Sequence, residues 1–166
     1  MTKIYIVGIV ASGKTTFAKE LSRRLEIPCY ALDSIVHKRV GDERIKQSPE
    51  EQMLEIQRID ALGSWIFEGV YRDSYRDLLN MADTIVFLDP PLWKRKFRIL
   101  SRYIRQKLKI EPCDYKPDLH MLRLMYKWTN GFERNRDHFS AMLHSYQGKL
   151  IVVSNPSALN EMNFLL

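Results

Sequence analysis

Lys3-Ile-Tyr-Ile-Val-Gly8-Ile-Val-Ala-Ser-Gly13-Lys14-Thr15-Thr16 is the stretch that decides the fold. Its first half is a β-branched and aromatic run stopping at a glycine, the pattern of a short buried strand. Its second half fits G-x-x-x-x-G-K-[ST] at every fixed position. The chemistry explains those residue types. Gly8 and Gly13 permit a tight turn that aims successive backbone N–H groups at phosphate oxygens. The helix expected next, with Phe17, Ala18, Leu21 and Leu25 at helical spacing, presents its positive end to the same anion. Lys14 reaches the β- and γ-phosphates, and the Thr15 hydroxyl is a ligand for Mg²⁺. Gly8, Ala11, Ser12, Gly13, Lys14, Thr15 and Thr16 are therefore the expected contacts to a nucleoside triphosphate.

Further strands are expected at Ile27–Leu32, Trp65–Phe67, Thr84–Leu88 and Leu150–Val153, separated by helical segments. Five strands alternating with helices read as an α/β fold with a mainly parallel sheet. Ser48-Pro49-Glu50-Glu51 supplies an N-cap, a proline at the first helical position and a capping-box acid, so a helix starts there and ends before Gly63. Ser34–Gln47 and Lys107–Gly131 carry little strand signal and read as covers of a site. The chain has 166 residues, 45% hydrophobic and 28% charged, which suits one globular domain. No apolar run approaches the roughly 18 residues of a membrane span, so no membrane partner is expected. With a phosphate loop this near its start, the segment Lys3–Val10 is not read as a signal peptide. Cys29 and Cys113 form no C-x-x-C pair, and His37, His120, His138 and His144 show no ligand spacing. A reduced, cytoplasmic setting follows. The net charge of +6 favours anionic partners.

Two more segments carry a resemblance. Trp65-Ile-Phe-Glu68-Gly69-Val-Tyr71-Arg72 is similar to the strand ending in an acid, a glycine and a nearby arginine in adenylate-kinase-like enzymes. Thr84-Ile-Val-Phe-Leu-Asp89-Pro-Pro91, followed by Arg98-Ile-Leu-Ser-Arg102, also resembles these small kinases. Asp33 falls just past the second strand, as the acceptor-binding acid does in shikimate-kinase-like members. In layout the chain looks closest to the DNA topology modulation proteins. The resemblance implies a P-loop NTPase fold of the adenylate-kinase kind, with a helical lid, binding ATP and Mg²⁺. It implies Glu68, one methylene longer than the usual aspartate, beside the metal with Thr15. It implies Arg98 and Arg102 over the nucleotide, and Arg72 or Arg76 holding the acceptor. Asp33 would orient or deprotonate an acceptor hydroxyl, and Arg134 and Arg136, after an Asn130-Gly131 turn, would be the lid's returning arginines. Asp89, at a strand end, reads as a helix-capping acid rather than a metal ligand. Residues 1–166 are then one domain, with 34–64 an acceptor-binding arm and 94–136 the lid region.

Pro90–Ile110 contains no acidic residue but eight lysines and arginines. Trp93, Phe97, Leu100, Ile104 and Leu108 follow at helical spacing as one apolar face, and Arg95, Arg98, Arg102, Arg105 and Lys109 as a basic face. No acid within the segment neutralises these arginines, so anion from outside is expected. That anion is the bound triphosphate if the helix belongs to a lid. It is nucleic acid if the stripe lies open along its length; an ordinary solvated surface is the third reading. The expected activity is transfer of the ATP γ-phosphoryl to a small acceptor, a nucleotide or a hydroxylated metabolite. An NTP-dependent nucleic-acid-binding regulator and a plain NTPase are the alternatives.

Overall fold

Along the chain run β1 (Lys3–Gly8), α1 (Lys14–Leu25), β2 (Cys29–Ala31), α2 (Leu32–Val36), β3 (His37–Val40), β4 (Glu43–Lys46) and α3 (Pro49–Ala61). There follow β5 (Trp65–Gly69), α4 (Arg76–Met81), β6 (Thr84–Leu88), α5 (Leu92–Lys107), α6 (Leu119–His144) and β7 (Leu150–Val153). This computed structural model describes residues 1–40, 43–111, 113 and 117–155, without the side chains of 39, 40, 43 and 44. Residues 41–42 of the expected arm, 112 and 114–116 of the expected lid, and 156–166 of the expected domain lie outside the described residues.

Five strands form one parallel sheet in the order β2-β5-β1-β6-β7. β1 is central, and Ile4, Tyr5, Ile6 and Val7 are all withdrawn from water. Alternation along the strands sends Ile4, Ile6, Ile66, Val86 and Leu88 to one face, against Phe17, Ala18 and Leu21 of α1. Tyr5, Val7, Phe67, Ile85 and Phe87 line the other face, against α3, α4 and α6. Both faces are covered, so these strands read as continuous apolar runs. The chain leaves β1 toward β2 and β5 on one side and places β6 and β7 on the other. That reversal opens a crevice at the carboxyl end of β1, where doubly wound sheets bind ligands.

The Ser48 capping box forms as expected, with Ser48 Oγ accepting from Glu51 N at 3.2 Å and Glu51 returning a bond to Ser48 N at 2.7 Å. Other expectations change. The arm holds an antiparallel hairpin, β3 with β4; its polar sequence, His37-Lys-Arg-Val40 and Glu43-Arg-Ile-Lys46, carries no apolar alternation to mark it. No turn occurs at Asn130-Gly131. α6 passes straight through it for 26 residues. One interior glycine costs a helix only about 1 kcal/mol, and packing of Phe132, Phe139, Met142 and Leu143 on the sheet outweighs that.

α5 turns the other way round from an ordinary amphipathic helix. Its inward residues are Arg95, Ile99 and Gln106, while the apolar face at Trp93, Phe97, Leu100, Ile104 and Leu108 is exposed. Nor are its arginines left to outside anions. Arg95 pairs with Glu133, and Arg102 and Arg105 reach Glu111 at 3.4 and 3.3 Å. These acids lie beyond the helix in sequence, where a search for local pairs does not look.

Candidate functional site

The turn from β1 into α1 is shaped by its two glycines. Gly13 has φ +98°, a left-handed conformation that an L side chain rarely adopts. At Gly8 a Cβ would lie 2.7 Å from the Leu88 carbonyl oxygen and 2.8 Å from Ser12 Oγ, so β1 and β6 approach too closely for alanine. Ser12 is buried, and its hydroxyl has no hydrogen-bond partner among the described residues. A buried unpaired hydroxyl within a loop that opens toward solvent is the mark of a polar ligand. Lys14 Nζ donates to the Ile9 carbonyl at 2.9 Å, bridging the loop from its helical end. Burial pushes the Lys14 ammonium below the usual lysine range; Glu68 and Asp33 pull it back, and Arg102 adds to the lowering. Lys14, Glu68, Asp33 and Arg102 thus share one electrostatic neighbourhood.

β5 ends beside this loop and delivers Glu68, which is buried. Thr15 Oγ1 donates to Glu68 Oε1 at 2.9 Å. A hydroxyl and a buried carboxylate in contact at the first turn of α1 are hard oxygen donors of the kind Mg²⁺ takes. No cluster of three or more His, Cys, Asp or Glu suited to a metal occurs among the described residues. Mg²⁺ commonly binds through one or two protein oxygens plus phosphates and water, so the residues fit that ion. They also fit the triphosphate: glycine turn, helix end, lysine and unpaired serine lie together in one loop.

α5 reaches the loop through Arg98, whose Nη1 donates to Ser12 O at 2.9 Å and Ala11 O at 3.3 Å. Thr16 sits exposed in the first turn of α1. Asp33 is exposed in the first turn of α2 and lies 4.0 Å from Arg72 in a loose ion pair. Asp89 does not cap a helix: Pro91 is the N-cap of α5, with no side-chain cap. It is buried at the end of β6 and accepts from Arg136 Nε at 2.9 Å. Arg136 is thereby held against the sheet end. Arg134, two residues earlier, faces elsewhere, because residues two apart on a helix point about 200° apart.

Arg134 lines a cleft of about 1630 Å³ that runs from Ile9 and Val10 of the loop, past Asp33, Arg72 and Arg76, to α6. Its floor is aromatic: Tyr71 and Phe139 have ring centroids 5.5 Å apart, and Phe132 and Phe139 5.6 Å. Arg123, Lys127 and His138 join Arg134 on the α6 wall. Sequence spacing alone does not group these four residues. Their spacing of 4, 7 and 4 marks one helical face, but only once Gly131 is read as interior to the helix.

No family model matches the chain. A shikimate kinase of Aquifex aeolicus is 49% identical over 39 residues, which is 24% of this chain and 23% of that protein. The crystal structure of shikimate kinase from Bacteroides thetaiotaomicron superposes with a TM-score of 0.54 at 18% identity, over 84% of this chain and 82% of that one. Shikimate kinase from Aquifex aeolicus gives 0.51 at 19% identity, over 99% and 94%. The fold is the P-loop kinase fold. Deoxyadenosine kinase from M. mycoides with bound dATP shares it, at TM-score 0.51 and 14% identity over 98% of this chain and 97% of that one. At such identities the likeness concerns architecture, and the activity has to be argued from the site.

Proposed function

We propose that this protein is an ATP-dependent phosphotransferase that moves the γ-phosphoryl group to a small acceptor, a nucleotide or a hydroxylated metabolite, held in the cleft beside the phosphate loop. The observation that carries the reading is continuity. Ile9 and Val10, from the same loop that carries Lys14 and Thr15, line the cleft together with Asp33, Arg72, Arg76 and Arg134. A plain NTPase needs no second chamber of that size. A nucleic-acid surface would need an unbroken basic face on α5, whereas Arg95 is buried and Arg98 is bonded to the loop.

Mg-ATP, when bound, supplies the phosphoryl group and neutralises its developing charge. The loop amides and Gly13 grip the phosphates, and Lys14 places its ammonium against the transferring group. Thr15 and Glu68 hold the metal side of the site. Arg98 and Arg102 approach from α5, with Arg102 as the mobile partner because its exposed side chain can leave Glu111. Arg134 faces the acceptor, while Arg136 contributes by fixing α6 to Asp89. Asp33 orients or deprotonates an acceptor hydroxyl, and Arg72 and Arg76 hold an anionic group on the same molecule. A cytoplasmic setting, and a relation to the DNA topology modulation proteins that rests on layout, belong to the same proposal.

The test is transfer from γ-labelled ATP to a panel of nucleoside monophosphates, nucleosides and hydroxylated metabolites, with Lys14→Ala as control. Label appearing on one acceptor class, and lost in Lys14→Ala, is the expected result. Release of inorganic phosphate at the same rate with every acceptor would overturn the reading in favour of a plain NTPase.

A further inference from the structure

The face of α5 turned away from the domain carries Trp93 at 66% exposure, Phe97 at 69%, Leu100 at 42%, Ile104 at 47% and Leu108 at 63%. Ile110, just beyond the helix, is 69% exposed. Trp93 to Leu108 spans about 22 Å of helix at 1.5 Å per residue. Trp93 and Phe97 alone present on the order of 200–300 Å² of ring-bearing surface. An apolar stripe of this length is beyond the scattered exposure of ordinary surfaces and calls for an occupant.

The flanks say which. At about 100° per residue, Lys96 and Lys107 lie along one side of the stripe, and Lys94 along the other, with Arg105, already paired with Glu111, beyond it. Lys94 Nζ sits 5.6 Å from the Trp93 ring centroid, over the end of the stripe. α5 itself contains no acid. A second copy laid on this face, parallel or antiparallel, would bring basic flank against basic flank. A protein partner is a poorer match, because lysine is depleted in protein interfaces. Aromatic and aliphatic residues on a single convex ridge, with lysines on both margins, are instead the pattern of a helix lying in a lipid headgroup layer. Long lysine stems let the charge stay among the headgroups while the ridge sinks in.

We infer that α5 docks the protein on the surface of a membrane rich in anionic phospholipid, its apolar ridge inserted and its lysines on the lipid phosphates. No helix among the described residues is long and apolar enough to cross a membrane, and docking requires none. The phosphate loop stays open in this pose. Arg98, which meets the loop, lies about 120° around the helix from the centre of the stripe. The inference stands independently of which acceptor the enzyme uses.

The test is co-sedimentation of the full chain with vesicles of phosphatidylcholine alone, and of phosphatidylcholine mixed equally with phosphatidylglycerol. Binding to the anionic vesicles only, weakening as salt rises, is the expected result. Phe97→Glu with Ile104→Glu should abolish it; both side chains are exposed, so the thermal midpoint should stay put. Lys96→Gln with Lys107→Gln should lower the partition coefficient by about fivefold per cation, roughly 25-fold together. Three results would overturn the inference. The anionic vesicles could leave the protein in solution. The Glu pair could leave binding unchanged. Sedimentation velocity without lipid could show a dimer that the Glu pair converts to monomer, which would make a second copy the occupant.

Discussion

Replacing Arg95 by alanine should destabilise the protein measurably, although the residue belongs to a helix face that reads as solvent-exposed. Its side chain is 1% exposed. Nε donates to the Pro90 carbonyl at 3.0 Å, Nη2 pairs with Glu133, and the guanidinium lies 5.6 Å from the Phe132 ring centroid. Breaking a fully buried pair by removing one partner costs about 3–5 kcal/mol. Glu133 is one-third exposed and regains some water once its partner is gone. That lowers the expectation to roughly 2–3 kcal/mol, since exposed pairs are worth little. For a domain of this length the melting temperature should fall by about 4–12 °C. Arg95→Met keeps most of the stem against Phe132 and should cost less than alanine. Urea unfolding of Arg95→Met, Glu133→Gln and the double variant should show a coupling above about 0.5 kcal/mol, the margin within which independent sites add. Lys109→Ala serves as the surface control, within about 0.5 kcal/mol of the parent. If Arg95→Ala behaves like Lys109→Ala, and the cycle shows no coupling, the buried-pair argument is wrong.

Thr15→Val should lower Mg²⁺-dependent turnover by at least an order of magnitude while sparing Mg²⁺-free nucleotide binding, because valine keeps the shape and loses the donor to Glu68; equal losses in titrations with and without Mg²⁺ would mean a distorted loop. Gly8→Ala should abolish detectable nucleotide binding by equilibrium dialysis, since its Cβ would press on the Leu88 carbonyl at 2.7 Å; retained affinity would show that β1 and β6 can part. Burial raises the Cys29 thiol to about 11. At about pH 8 its thiolate fraction is then on the order of 10⁻³, so alkylation followed by mass spectrometry should be slow and should speed up roughly tenfold per pH unit. A rate that is fast and flat between about pH 7 and 9 would contradict that environment.

What was legible in the sequence depended on how tightly chemistry constrains it. The phosphate loop admits few solutions: Gly8 and Gly13 are forced by a close approach and a left-handed turn, and the strand before them must be apolar throughout. Those residues announce themselves in one chain. The orientation of α5 does not. A period near 3.6 separates an apolar face from a basic one, but it carries no statement about which face meets the domain. Here Arg95 goes inward because Glu133, 38 positions away, waits for it on α6. The same limit hid the α6 wall of the cleft. Gly131 has nothing within 4 Å of where its Cβ would be, so no local contact explains a glycine there, and local rules take it for a turn. Gly131 and the inverted α5 were misplaced for the same reason: what decides each is tertiary, Glu133 for the inward turn of Arg95 and the packing of Phe132, Phe139, Met142 and Leu143 for the helix through Gly131.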